Sequence, residues 1–276
     1  MKKSWIILLA SLLMLSACAP AQTATETKPG VETIVASTLQ AMAAAAQPTA
    51  SAGGIPVSYH NVTFTIPLEL NASATPSTNT DVEFPYINPS GGPMAEHDVF
   101  QITNYPVQGD GWDTKIMVFK SSDYAAYGQQ DAVTALLGGQ EANQPLPKAL
   151  THDFYAQPKL ISFKNGHGLR YLTQVFNGMG PINNRDLFYY YQGITNDGMY
   201  FVSAIFHVKV SFLVADTDPN SPTPSDGVLF LRDPSQDISK YLGDITQKLS
   251  STAPENYTVS LTLLDNLIES VQVSNP

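Results

Sequence analysis

Residues 186–208, "DLFYYYQGITNDGMYFVSAIFHV", constrain the fold more than any other stretch. A turn signal, Asn196-Asp197-Gly198, divides two runs whose side chains alternate between faces at the strand period of two. Phe188, Tyr190 and Ile194 share one parity, and Leu187, Tyr189 and Tyr191 share the other. Neither parity is polar, so the sheet is apolar on both faces and both must be covered. The stretch before it, "KLISFKNGHGLRYLTQVFNG" from Lys159, repeats the device with Asn165-Gly166, residues that accept the positive φ of a primed hairpin turn. Four antiparallel strands in succession are expected.

Cover comes from segments with helical periodicity. "DPSQDISKYLGDITQKLSS" offers Asp233 as cap, Pro234 at the first helical position and a stripe of Ile238, Tyr241, Leu242, Ile245 and Leu249. "LTLLDNLIESVQV" reads as a short helix running into a last strand, and residues 121–138 as a helix capped by Ser122 or Asp123 and stopped by Gly138. Its apolar positions are Tyr124, Tyr127, Val133, Leu136 and Leu137. Upstream, "VSYHNVTFTIP" reads as one strand with Val62, Phe64 and Ile66 on one face, stopped by Pro67. Residues 71–98, rich in Pro, Ser, Thr, Asn and Gly, read as a long surface loop, followed by strands at "VFQITNY" and "TKIMVFK". The expectation is an α+β fold: one domain over 55–276, with a central antiparallel sheet covered by helices on both faces.

The amino terminus follows different rules. Lys2 and Lys3 precede an apolar run from Trp5 to Leu15, about eleven residues, which is short of the roughly 18–20 that span a bilayer. Residues 1–17 read as a signal peptide. Leu15, Ser16 and Ala17 lead directly into Cys18, a motif that resembles the bacterial lipobox. The resemblance implies cleavage before Cys18 and acylation of its sulfur. Two or three acyl chains anchor a protein where one does not. Residues 18–54 then form a lipidated tether. Within it Val31, Ile34, Val35, Leu39 and Met42 make one amphipathic stripe. That stripe fits either a docked helix or a loosely helical linker, and its narrowness favours the linker.

Cys18 is the sole cysteine, so once acylated it leaves no thiol for disulfides, metal sites or nucleophilic catalysis. Loss of Lys2 and Lys3 would take 14 basic residues to 12 against 24 acidic ones, a net charge near −12. Phosphate backbones and anionic headgroups repel such a chain, which argues against nucleic acid and leaves the lipid on Cys18 as the membrane contact. Charged residues make up only 14% and aromatics 10%, a balance that folds rather than stays disordered.

The opening strand "NVTFTIP", the antiparallel meander and the closing "LLDNLIESVQV" together resemble the PsbP-like α/β sandwich family, whose members are often secreted or lipid-anchored binding and assembly factors. The resemblance is architectural and carries over no catalytic residue. The long segments 71–98 and 209–232 depart from it.

Chemical motifs are sparse. His60, His97, His152, His167 and His207 are scattered without an HxxH or HExxH pair, and no G-x-S-x-G elbow or Gly-rich phosphate loop occurs. Glu96, His97 and Asp98 adjoin, yet neighbours on a strand point apart. Asp216, Asp218 and Asn220 match the first three ligands of a calcium loop, but Ser221 stands where the turn glycine belongs and Gly227 where the bidentate glutamate belongs. Calcium is therefore a weak candidate, and no other cofactor is expected. Tyr189 and Tyr191 are candidate ligand contacts because clustered tyrosines stack on flat ligands, although packing on the two covered faces of the sheet explains them better. Trp112, the one tryptophan beyond the signal peptide, is the other candidate contact.

The leading functional expectation is a lipid-anchored, extracytoplasmic lipoprotein of the cell envelope with a non-enzymatic binding or assembly domain. A small-ligand or glycan receptor is the alternative, and a hydrolase built from dispersed residues is the third. Residues 209–232 are far longer than the usual link of about 4–6 residues. They are expected to form an acidic, proline-stiffened flap pinned by Val228 and Phe230.

Overall fold

The computed structural model describes residues 53–80, 82–83, 93–109, 113–139, 154–174, 180–218, 220–231 and 237–275. Cys18, Trp112 and His152 lie outside these described residues.

Seven antiparallel strands form the large sheet: β3 (Ser73–Asn79), β6 (His97–Thr103), β7 (Lys115–Lys120), β8 (Ala156–Phe163), β9 (Gly166–Thr173), β10 (Phe188–Thr195) and β11 (Tyr200–His207). Their order across the sheet is β3-β6-β7-β11-β10-β9-β8. A second sheet of three strands joins β1 (Gly54–Tyr59), β2 (Val62–Pro67) and β12 (Gln272–Val273), and β4 (Val82–Glu83) pairs with β5 (Pro93–Met94) as a short ribbon. The helices are α1 (Ser121–Tyr124), continued by a π turn over Ala125–Gln129 into α2 (Gln130–Leu137), then α3 (Ile238–Ser251) and α4 (Leu261–Glu269). The fold is thus mixed α/β with a large antiparallel sheet and a few helices. No helix among the described residues is long and apolar enough to cross a membrane.

The parity of β10 sorts as the alternation predicts. Tyr189 and Tyr191 enter one buried cluster, with Phe64, Ile66, Ile245, Leu264 and Leu267. Phe188, Tyr190 and Ile194 enter a second, with Tyr124, Val133 and Leu136. Aromatic edges meet faces on both sides: Tyr171 and Tyr190 are 5.6 Å apart at 88°, and Tyr189 and Phe206 are 5.9 Å apart at 77°.

Several local expectations are corrected. "VSYHNVTFTIP" is a hairpin, because His60 at φ 48° turns the chain and lets Tyr59 pair with Val62. Part of the expected loop at 71–98 is strand β3, whose backbone pairs with β6 despite its polar side chains. The turn between β8 and β9 is Lys164-Asn165. Gly166 already faces Phe163 in the ladder, and a Cβ there would lie 2.0 Å from the Phe163 ring. The first helix starts at Ser121 as expected, but its cap position is Lys120 rather than Ser122 or Asp123 and no side chain caps it; the Ser121 backbone N–H donates to the Met199 carbonyl instead. In α3 the cap is Asp237, which accepts from the Lys240 N–H, rather than Asp233. The closing strand β12 joins the small sheet through β2.

The segment after β11 holds Val210, Phe212 and Leu213 buried, and Val228 and Phe230 pack on the same cluster, with Phe230 meeting Tyr241 edge to face at 5.0 Å. Lys248 clasps it from α3, reaching the Asp226 carbonyl and lying 4.6 Å over the Phe212 ring.

Candidate functional site

A groove of about 850 Å³ opens where the hairpin of the small sheet meets one end of the large sheet. The turn between β1 and β2 brings His60 and Asn61, β3 brings Thr78, the start of β6 brings Glu96, His97 and Asp98, and β7, α1 and β11 bring Lys120, Asp123 and Tyr200. The carboxyl-terminal residues Ser274 and Asn275 close one side. They are held there because the Asn61 side chain donates to the Ser274 carbonyl at 2.6 Å and the Ser274 N–H donates to Asn61 at 2.8 Å.

The polar groups are fixed by one another. His60 Nδ1 lies 3.1 Å from both Asp98 oxygens, and a carboxylate only accepts, so Nδ1 carries the proton. Thr78 donates to Asp98 Oδ1 at 2.9 Å, and Tyr59 Oη, 3.1 Å from Thr78 Oγ1, supplies the next donor. This relay crosses both sheets and orients Asp98, whose side chain is 14% exposed against 57% for His60. His97 is 3% exposed, stacks on Phe119 at 4.5 Å and meets the Ala95 carbonyl through Nδ1 at 2.9 Å. Burial is the first cause that pushes its pKa below the ordinary histidine value, with the Lys115 charge adding to the effect. His97 therefore stands neutral at pH 7.

A second hollow, about 350 Å³, lies near the other end of β6, between Gln101–Gly109 and His207. It is narrower because Gly109 packs against the His207 ring, leaving no room there for a Cβ, and Tyr105 Oη donates to the His207 carbonyl at 2.9 Å. Burial raises the Tyr105 pKa.

The other concentration of charge is structural. Arg170 and Asp265, with side chains 2% and 5% exposed, meet at 3.1 Å, and Asp265 also accepts from Lys159 at 2.8 Å and Tyr189 Oη at 3.1 Å. Arg170 reaches the Gln157 carbonyl, and the Gln157 amide donates to carbonyls at the end of α3. These bonds clasp β8, β9 and β10 to α3 and α4.

The sequence candidates fall in different places. Tyr189 and Tyr191 are fully buried, their hydroxyls donating to Asp265 and to the Ile161 carbonyl, so neither ring offers a face for stacking. Asp216 accepts from the Asp218 N–H and the Ser221 hydroxyl, and Asp218 accepts from Asn220, so these side chains stabilise their own loop. No group of three or more His, Cys, Asp or Glu among the described residues could hold a metal ion. The pair that sequence reasoning missed is His60 with Asp98, 38 residues apart. Its signal was a polar His-Asn dipeptide inside an alternating run, the mark of a hairpin tip. Compared with known proteins, the chain matches no family model, no curated protein and no solved structure.

Proposed function

We propose that this is a lipid-anchored, extracytoplasmic lipoprotein whose α/β domain binds a ligand or partner without catalysing a reaction. The groove between the two sheets carries this reading: it is open, large enough for a small ligand or an extended side chain, and its His60, Thr78 and Asp98 side chains are held in place by hydrogen bonds before anything arrives. The anchor rests on Leu15–Cys18 and on the short apolar run before it. A PsbP-like sandwich draws support from the order of parts: opening strand, antiparallel meander, closing helix and strand. Cover by helices on both faces draws support from Tyr124, Val133 and Leu136 in one cluster and Tyr241, Ile245 and Leu264 in the other.

A hydrolase is the competing reading, because the His60–Asp98 pair is the orienting half of a general-base arrangement. No serine or threonine hydroxyl among the described residues bonds to His60 Nε2. Two measurements separate the readings. The wild-type chain should enter the detergent phase and carry acyl mass, whereas Cys18→Ser should be soluble and lack it; a membrane-bound Cys18→Ser chain of unchanged lipid content defeats the anchor. Ester or phosphoester turnover abolished by His60→Gln would establish the hydrolase instead.

A further inference from the structure

We infer that α2 is a hinged lid, which swings about Gly128 off the large sheet and in its closed position buries two amides without hydrogen bonds. The amides lie on both sides of the contact. On the strand side Gln192 is wholly buried, and neither its Nε2 nor its Oε1 has a hydrogen-bond partner among the described residues. It stands between Tyr190 and Ile194 on the face of β10 that packs with Val133 and Leu136 of α2, and the Tyr124 hydroxyl beside it is off hydrogen-bond geometry. On the helix side Gln129 shares the buried face of Ala132, Val133 and Leu136, and its Oε1 is also unbonded. A buried donor or acceptor without a partner carries its full desolvation cost, which contact with water removes. Closure therefore gains apolar burial at Val133 and Leu136 and loses hydration at Gln129 and Gln192. The open and closed states lie closer in free energy than apolar packing alone would place them.

The helix also has one place to bend. The π turn Ala125–Gln129 interrupts it, and Gly128 within that turn takes φ 87°, a left-handed value. A Cβ there would meet nothing, so conformation rather than space selects glycine. Before the turn, α1 is fixed: Tyr124 stacks on Phe201 at 4.2 Å and tilts against Phe119 at 4.7 Å, and the Ser121 N–H donates to the Met199 carbonyl. After it, α2 starts without a side-chain cap and meets the sheet at its far end, where His167 Nε2 donates to the Leu136 carbonyl at 3.1 Å. By contrast α4 is bound through the Asp265–Arg170 pair and α3 through the Gln157 amide. Asp123 of the groove belongs to the fixed side, so the motion does not depend on what the groove binds.

The test is native-state hydrogen exchange of the full chain in detergent, resolved by residue with NMR at rising urea. Amides of Val133–Leu136 should exchange through a local opening that urea scarcely accelerates, roughly a hundredfold faster than those of Ile245–Leu249 in α3. The Ser121 amide should exchange with α3, because α1 stays in place. Gln192→Met keeps the volume and removes the amide, so it should slow exchange in α2 by roughly tenfold. Gln129→Leu should do the same from the helix side and serves if the strand variant fails to fold. Ile245→Val should speed exchange in α3 several-fold and leave α2 within about twofold, since a local opening does not expose that side chain. Urea dependence in α2 as steep as in α3 makes the two one cooperative unit and overturns the inference. So does equal acceleration of both by Ile245→Val. Exchange of Ser121 together with α2 overturns the hinge at Gly128, and α2 rates indifferent to both glutamine variants show that opening does not hydrate the amides.

Discussion

His97 shows how one buried ring couples the groove to pH. Its folded pKa lies below the ordinary 6.5, so in the window beneath 6.5 the unfolded chain binds a proton that the folded chain does not. The contribution is complete above pH 6.5, falls as the pH drops through the window, and stops changing below the folded value. Urea unfolding from pH 7 to pH 4 should show this loss for the wild type and a shallower one for His97→Gln. Asp265 makes a second, larger claim at the same scale. Asp265→Ala strands the Arg170 guanidinium in the interior and should cost about 3–5 kcal/mol. Lys159 is 50% exposed, and Lys159→Ala should cost less than about 1 kcal/mol. Equal losses from the two in chemical denaturation would mean that Arg170 does not depend on Asp265.

At the scale of elements, the meander is held by close approaches as much as by alternation. Gly193 sits opposite Gly168 in the β9–β10 ladder, and the Tyr191 side chain crosses the space that a Cβ on either would fill. A Cβ at Gly193 would lie 2.4 Å from Tyr191 Oη, the atom that donates to the Ile161 carbonyl on β8. Gly193→Ala should therefore displace Tyr191 and lose about 1–3 kcal/mol by overpacking, read as a lower urea midpoint with an unchanged slope. If Gly193→Ala is neutral, the ring has another place to go. The flap obeys the same logic at its root: Val228 and Phe230 are anchored, while Leu229 and Leu231 between and beyond them remain exposed, an alternation natural to an extended segment lying on a core.

Across the whole molecule, the two buried clusters are unusually rich in phenol. Burial raises the pKa of Tyr124, Tyr171, Tyr189 and Tyr191 well above 10 and that of Tyr190 to about 12. Here the folded values exceed the unfolded one, so the stability is intact below pH 10 and is lost as the pH rises beyond it, because the unfolded chain releases protons first. Absorbance of tyrosinate should show Tyr124, Tyr171, Tyr189, Tyr190 and Tyr191 failing to ionise near pH 10 and appearing together as the far-ultraviolet signal collapses. Independent titration of all of them, without unfolding, would refute the packing on both faces of the sheet.

Local patterns alone determined the two parities of β10, the strands around Asn165 and Asn196-Asp197-Gly198, the stripe of α3 and the helix-to-strand end of the chain, because each depends on neighbours within a few residues. The helix stripe held even though its cap moved to Asp237. Tertiary structure decided the rest. Strand β3 exists because its backbone finds β6, a pairing that its polar side chains do not announce. The one run at 57–67 became a hairpin because His60 takes a left-handed turn that composition does not advertise. Tyr189 and Tyr191 went inside because the sheet acquired cover on their face, which removed them as ligand contacts. The groove needed all of this at once: Asp98 meets His60 and Thr78 only after the hairpin, β3 and β6 have come together, and hydrogen bonds between residues 20 and 38 positions apart have no local pattern from which to be read.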